Sequence, residues 1–201
     1  MIRTVNSFSA LPSRDEVFCA LGIRDTEAKN KLTKDVDSAI AELGTHIKPR
    51  ACFDTFKIKA DGDWLDLGFA KVQSRDLAKN LCGCNSIILI AATVGLDVDR
   101  LIAKYSRISP SRALIMQAAG AAAVEHLLDE ISNSLKRLDA HLRPRFSCGY
   151  GDLPLTLQKD IFSALSCEKS IGVSLTDSLL MTPTKSVSAI IGIENEVKNE
   201  L

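Results

Sequence analysis

Between Cys84 and Thr93 lies Ile87-Ile-Leu-Ile-Ala-Ala92, a run that is apolar at every position. Such a short segment has no polar face to offer water, so it reads as a strand buried inside a sheet. Segments of helical spacing precede and follow it in unequal lengths, without a regular strand–helix–strand rhythm. That order predicts an α+β fold in which a central mixed or mostly antiparallel sheet is flanked by helices.

Ahead of the run, Val17, Leu21, Leu32, Val36, Ile40 and Leu43 recur at helical spacing with a break near Gly22 to Asp25, predicting two helices, the second longer. Ser13 and Asp25 can each accept hydrogen bonds from the first free N–H groups of a helix, and Gly44 suits a helix end. Residues 1–48 therefore read as a small N-terminal helical section, 49–193 as the main domain and 194–201 as a charged tail. Alternation over Ala51–Ile58 and Trp64–Phe69, around the turn Ala60-Asp-Gly-Asp63, predicts a β-hairpin.

Helical spacing returns over 74–81, 95–105 and 111–138. The middle of the last segment, Ala118-Ala-Gly-Ala-Ala-Ala123, has side chains small enough for another group to come close, either a packed sheet or a ligand. Thr93-Val-Gly95, before the second of these helices, reads either as a turn capped by Thr93 or as a place where backbone N–H groups meet a ligand. A helix over 155–165, a short strand over 171–175 and a last strand over 186–193 complete the reading.

Several function classes are disfavoured. Lys plus Arg and Asp plus Glu number 25 each and the basic residues are scattered, so no field is set up for nucleic acid or anionic lipid. No stretch reaches the roughly 18 apolar residues of a membrane helix and no apolar signal region opens the chain, which predicts a cytoplasmic protein with no membrane partner. Six dispersed cysteines in a chain of 201 residues predict reduced thiols. Cys82-Gly-Cys84 lacks a second pair or a nearby histidine, and His46, His126 and His141 have no joining spacing, so no metal site is expected. No nucleophile elbow or phosphate loop is present, and no residue is assigned a catalytic acid, base or nucleophile role.

The chemistry concentrates in His141-Leu-Arg-Pro-Arg-Phe-Ser-Cys-Gly-Tyr-Gly-Asp-Leu-Pro154, which reads as an irregular loop. Gly149 and Gly151 permit turns closed to other residues, and Pro144 and Pro154 restrict the chain. Arginine offers a planar fork matched to a carboxylate, and Tyr150 can stack or donate its phenol. Composition alone leaves two readings: a small-molecule cradle, or a surface loop whose arginines pair with Asp139 and Asp152.

Arg145, Gly149 and Tyr150 in the order Arg-x-x-x-Gly-Tyr, then Ile171-Gly-Val-Ser-Leu-Thr-Asp-Ser-Leu-Leu-Met-Thr-Pro183 and Ser186-Val-Ser188, resemble the reactivation (activation) domain of cobalamin-dependent methionine synthase. The likeness spans about 121–190. This chain departs from the family pattern at Ser147, for alanine, at Cys148, for proline, and in lacking a tyrosine pair after Ser186-Val-Ser188.

The resemblance implies a stand-alone S-adenosylmethionine-binding protein that supports reductive methylation of cob(II)alamin on a partner methionine synthase. Its implied partners are the cobalamin-binding module of that enzyme and a flavodoxin or ferredoxin as electron donor. Arg145 would take the methionine carboxylate, groups near Ser147 and Gly149 the amino acid or adenosine, and Tyr150 would shape the pocket. Asp139 occupies an acidic ligand-side position, and Glu125 is a further carboxylate for the sulfonium, or else an exposed helix charge. The alternative is a non-catalytic module that binds a corrinoid protein without using S-adenosylmethionine.

Overall fold

The computed structural model describes residues 2–136 and 141–194. Strand β1 (Arg3–Val5) leads to helices α1 (Arg14–Ala20) and α2 (Thr26–Gly44). Ser13 makes a reciprocal capping box with Glu16, and the Asp25 carboxylate accepts the Ala28 N–H at 2.7 Å, so both helices start where unpaired N–H groups find an oxygen. Four strands follow: β2 (Arg50–Lys57), β3 (Lys59–Asp61), β4 (Trp64–Asp66) and β5 (Lys71–Gln73). Helix α3 (Arg75–Asn80), capped by Ser74, precedes strand β6 (Cys84–Thr93), the apolar run.

Helices α4 (Leu96–Ile108) and α5 (Pro110–Lys136) come next, the latter opening on a proline whose missing N–H costs nothing in a first turn. Beyond 141 lie a 3-10 turn at Leu155–Leu157, helices α6 (Gln158–Ala164) and α7 (Cys167–Ile171), and strands β7 (Ser174–Leu175), β8 (Met181–Thr182) and β9 (Ser186–Glu194). No helix among the described residues is long and apolar enough to cross a membrane.

The fold is α+β, as expected, and every strand pairing is antiparallel. The main sheet runs β1-β2-β6-β9. β6 is central: Ile90 stands opposite Phe53 on β2 and Ala189 on β9. Alternation along β6 divides the core in two. Ile88, Ile90 and Ala92 face a helical layer that includes Val17, Phe18, Val36, Leu43, Val98, Met116 and Leu127. Ile87, Leu89 and Ala91 face Leu65, Val72, Leu77, Ile161 and Ile171, from the small sheet β3-β4-β5 and the short helices.

The small-sided stretch of α5 is a packing device. Ala118, Ala119, Ala122 and Ala123 are buried in the helical layer, and a side chain at Gly120 would meet Val98 Cγ1 at 3.0 Å. Residues from both N-terminal helices share this core, and β1 extends the main sheet.

Several expectations change. The hairpin forms between β3 and β4, while β2 belongs to the main sheet, because its alternating residues find β6 as a longer partner. Residues 167–171 are helical, and the predicted strand shrinks to β7. Thr93 caps the turn before α4, one of the two readings of Thr93-Val-Gly95. Its hydroxyl accepts from the Gly95 N–H at 3.1 Å and from Ser186 Oγ at 2.9 Å, pinning the turn to β9. Glu194 lies in β9, one residue past the predicted end of the strand.

Candidate functional site

The 141–154 segment is more ordered than its composition suggests. Residues 141–146 run along the free edge of β9 through backbone bonds from Arg143 N to Gly192 O (2.9 Å), Phe146 N to Ile190 O (2.9 Å), Ile190 N to Phe146 O (2.8 Å) and Glu194 N to His141 O (2.8 Å). The edge is thereby covered, which removes a template for unwanted strand pairing. Neighbouring side chains on an extended segment point to opposite faces. Phe146 enters the core beneath the short elements, while Arg145 reaches α5 in the helical layer.

Arg145 donates through Nη1 to Asp129 Oδ1 at 2.7 Å and through Nη2 to Glu125 Oε2 at 2.9 Å. The two carboxylates are four residues apart on α5 and so share one helix face. The arginine side chain is 27% exposed, against 56% for Glu125 and 60% for Asp129, so the fork is sheltered and its acceptors stay wet. Ser132, one further turn along the same face, has a buried Oγ without a hydrogen-bond partner among the described residues. Asp129, Ser132, Asn133, Leu142, Arg143 and Arg145 border a cavity of about 340 Å³.

The rest of the loop is held by tight turns. Gly149 (φ +85°) donates to the Leu153 carbonyl at 2.9 Å, and the Ser147 hydroxyl donates to the Ser188 carbonyl at 2.8 Å. Gly151 (φ +57°) passes so close to Asp76 that any side chain there would collide with its carboxylate. Asp152 supplies a second cap for α3, accepting from Ser74 Oγ at 2.5 Å, Arg75 N at 2.9 Å and Asp76 N at 3.2 Å. The Ser74 hydroxyl, with these amides, holds the Asp152 carboxyl below its ordinary range. Tyr150 is 70% exposed and sets its ring edge-on to Phe146, with centroids 5.4 Å apart. Burial pushes the Cys148 thiol up to about 11, which keeps it protonated and a poor nucleophile.

Of the residues singled out in the sequence, Arg145, Ser147, Gly149 and Tyr150 lie on this loop, and Glu125 meets Arg145 directly. Asp139 lies outside the described residues. Asp152, one of the partners expected of a solvated loop, turns instead to α3, and among the described residues Arg145 pairs with Glu125 and Asp129. Sequence reasoning missed Asp129 and Ser132, although their four- and seven-residue spacing from Glu125 was a usable signal. A larger cavity of about 420 Å³ lies between α6, α7 and β7, lined by Lys159, Phe162, Ser166 and Lys169 among others, and holds none of these residues. The Arg145 cavity is the candidate site because it carries Arg145, held at its rim by the ion pair to Asp129. Among the described residues no three His, Cys, Asp or Glu side chains converge as metal ligands.

Comparison with known proteins identifies one family and one fold. The family model for the activation domain of vitamin B12 dependent methionine synthase matches residues 78–199. Among solved structures, the MetH reactivation domain bound to AdoHcy superposes with a TM-score of 0.73 over 98% of this chain and 80% of that chain, at 16% identity. At that identity the likeness establishes the fold. No curated protein matches by sequence.

Proposed function

This chain belongs to the activation-domain family of vitamin B12-dependent methionine synthase, and on that premise we propose that it is a reactivation factor that binds S-adenosylmethionine at the Arg145 loop. It would act in trans, in the cytoplasm, on the cobalamin-binding module of a partner methionine synthase, with flavodoxin or ferredoxin supplying the electron.

The observation that carries this reading is the placement of Arg145 between Glu125 and Asp129 beside the 340 Å³ cavity. A methionine head group is a zwitterion. Its carboxylate matches the guanidinium fork, and its ammonium matches a carboxylate at the same point, so a ligand of this class fits charges already in place. Glu125 and Asp129 also favour a nearby sulfonium. Tyr150 offers an exposed ring for the adenosine, and the Ser147 to Ser188 bond fixes the backbone between the two contacts.

When bound, S-adenosylmethionine supplies the methyl group that cob(I)alamin accepts after reduction of cob(II)alamin. The role of this chain is positioning: Arg145 and its carboxylates orient the head group, and the edge-bound loop fixes their distance from the partner. No proton transfer is required of Cys148 or of any other residue on the loop.

One observation favours the second reading, a corrinoid-protein-binding module that does not use S-adenosylmethionine. The Arg145 fork is engaged by two carboxylates of its own chain, so an incoming carboxylate has to displace one of them. Titration calorimetry separates the two readings. Binding of S-adenosylmethionine, alone or with the cobalamin-loaded partner, supports reactivation, whereas silence in both experiments leaves the module.

A further inference from the structure

Cys82 and Cys84 flank Gly83 on the turn between α3 and β6, and neither thiol has a part in the function proposed above. The Cys84 N–H donates to the Leu81 carbonyl at 3.0 Å and Gly83 lies at φ +82°, so the chain reverses between the two thiols. Residues two apart on an extended chain are about 7 Å apart. A turn brings them within the roughly 4.4 to 6.8 Å between Cα atoms that a disulfide spans. Cys82 is exposed and Cys84 half-buried.

Both cysteines touch the same neighbour. Arg143 donates through Nη2 to the Cys82 carbonyl at 2.8 Å, and its Nε pairs with Glu194 Oε1 at 2.8 Å. Cys84 Sγ and Arg143 Cγ both crowd Gly192, where an added side chain would meet them at 2.7 and 3.1 Å. Arg143 also pins the edge segment to β9 through its backbone N–H, two residues before Arg145.

We propose that Cys82 and Cys84 form a reversible dithiol–disulfide pair, oxidised by small-molecule disulfides, whose state passes through Arg143 to the 141–146 edge segment. The exposed Cys82, as its thiolate, attacks one sulfur of the oxidant. The oxidant's S–S bond breaks, its first thiol leaves and takes up a proton, and a mixed disulfide remains on Cys82. Cys84 then gives up its proton and attacks the Cys82 sulfur, which expels the second thiol. Two electrons and two protons have passed from the pair to the oxidant.

Burial holds the Cys84 thiol above its ordinary value, with the Arg143 guanidinium acting in the opposite sense, which fits Cys84 as the resolving thiol. The other thiols are placed differently. Cys52 and Cys167 meet in the core but are 0% and 1% exposed, closed to reagents. Cys19 is exposed and belongs to α1, away from this turn.

The test treats the full chain with oxidised glutathione, maps the products by mass spectrometry after digestion, and follows amide exchange. A disulfide between 82 and 84 that dithiothreitol reverses is expected in the wild type, and glutathione trapped on Cys82 in Cys84→Ser. Exchange at Arg143, Phe146 and Glu194 should rise several-fold in the oxidised wild type and stay unchanged in Cys82→Ser. Stable glutathione on Cys82 of the wild type, or no reaction at that turn, overturns the pair. A disulfide with unchanged exchange at the edge segment overturns the transmission. None of these readouts involves S-adenosylmethionine, so this proposal can fail while the reactivation reading stands, and the reverse.

Discussion

The two faces of the main sheet are built by different means. On one face α2, α4 and α5 are long enough to lay continuous apolar stripes on Ile88, Ile90 and Ala92, with the short α1 joining them. On the other, three-residue strands and helices of five to seven residues bury Ile87, Leu89 and Ala91. Short elements cannot bury enough apolar surface to hold position unaided, and here side chains fasten them: Asp152 to the start of α3, Asn80 to the Pro144 carbonyl at 3.2 Å, Ser147 to Ser188, and Gln158 to the Leu179 carbonyl at 3.1 Å. The Arg145 segment runs along the β9 edge where the two faces meet, with one residue anchored in each.

The strongest challenge to this division is Ile90→Ala, since Ile90 is 0% exposed at the centre of the helical face. A loss of about 2 to 5 kcal/mol is expected in urea denaturation. A loss well under 1 kcal/mol would show that the helical layer is not the main stabiliser.

Arg145→Ala probes the seam between the faces. Calorimetry should show S-adenosylmethionine binding weakened by about 1.5 to 3 kcal/mol, the worth of a hydrogen bond to a charged group. Stability should change by less than about 1 kcal/mol, because Glu125 and Asp129 are solvated. A stability loss matching the binding loss would make the arginine a structural strut.

Ala119→Leu overfills the small-sided stretch of α5, where Ala119 is 0% exposed. About 1 to 3 kcal/mol of destabilisation is expected by thermal melting, with ligand affinity of the folded protein unchanged. A fall in affinity alone would instead place a ligand against that stretch.

The smallest effect concerns the fastening of α3. The Asp152 carboxyl lies below its ordinary range in the folded chain, so its contribution is complete above the usual carboxylate range and is lost as pH falls through the folded value. Protection of the Arg75 and Asp76 amides, taken relative to intrinsic exchange at each pH, should fall in acid in the wild type. Asp152→Asn should be poorly protected at every pH, and identical protection profiles for the two proteins would remove Asp152 as the fastening group.

Much of the fold was legible from local pattern. The apolar run became the central strand, Ser13 and Asp25 cap the helices they precede, and the long helix with small side chains is α5. Less legible were the pairings. Alternation marked 51–58 and 64–69 as strands but carried no record of which strand each would join. Residues 141–146 hid their edge pairing behind two arginines and a proline, because on an edge only one side of the backbone needs partners.

In the site, Arg145 and Tyr150 stood out by residue type and by family likeness, whereas Asp129 looked like any charge on a solvated helix. Sequence by itself determined the longer helices, the buried strand, the glycine turns of the loop and the family, since each depends on local pattern. Tertiary structure alone decided that Arg145 would meet carboxylates 16 and 20 residues behind it and that its loop would cover β9. Periodicity records which face of a segment avoids water, and the contact made by a polar residue depends on how those segments pack.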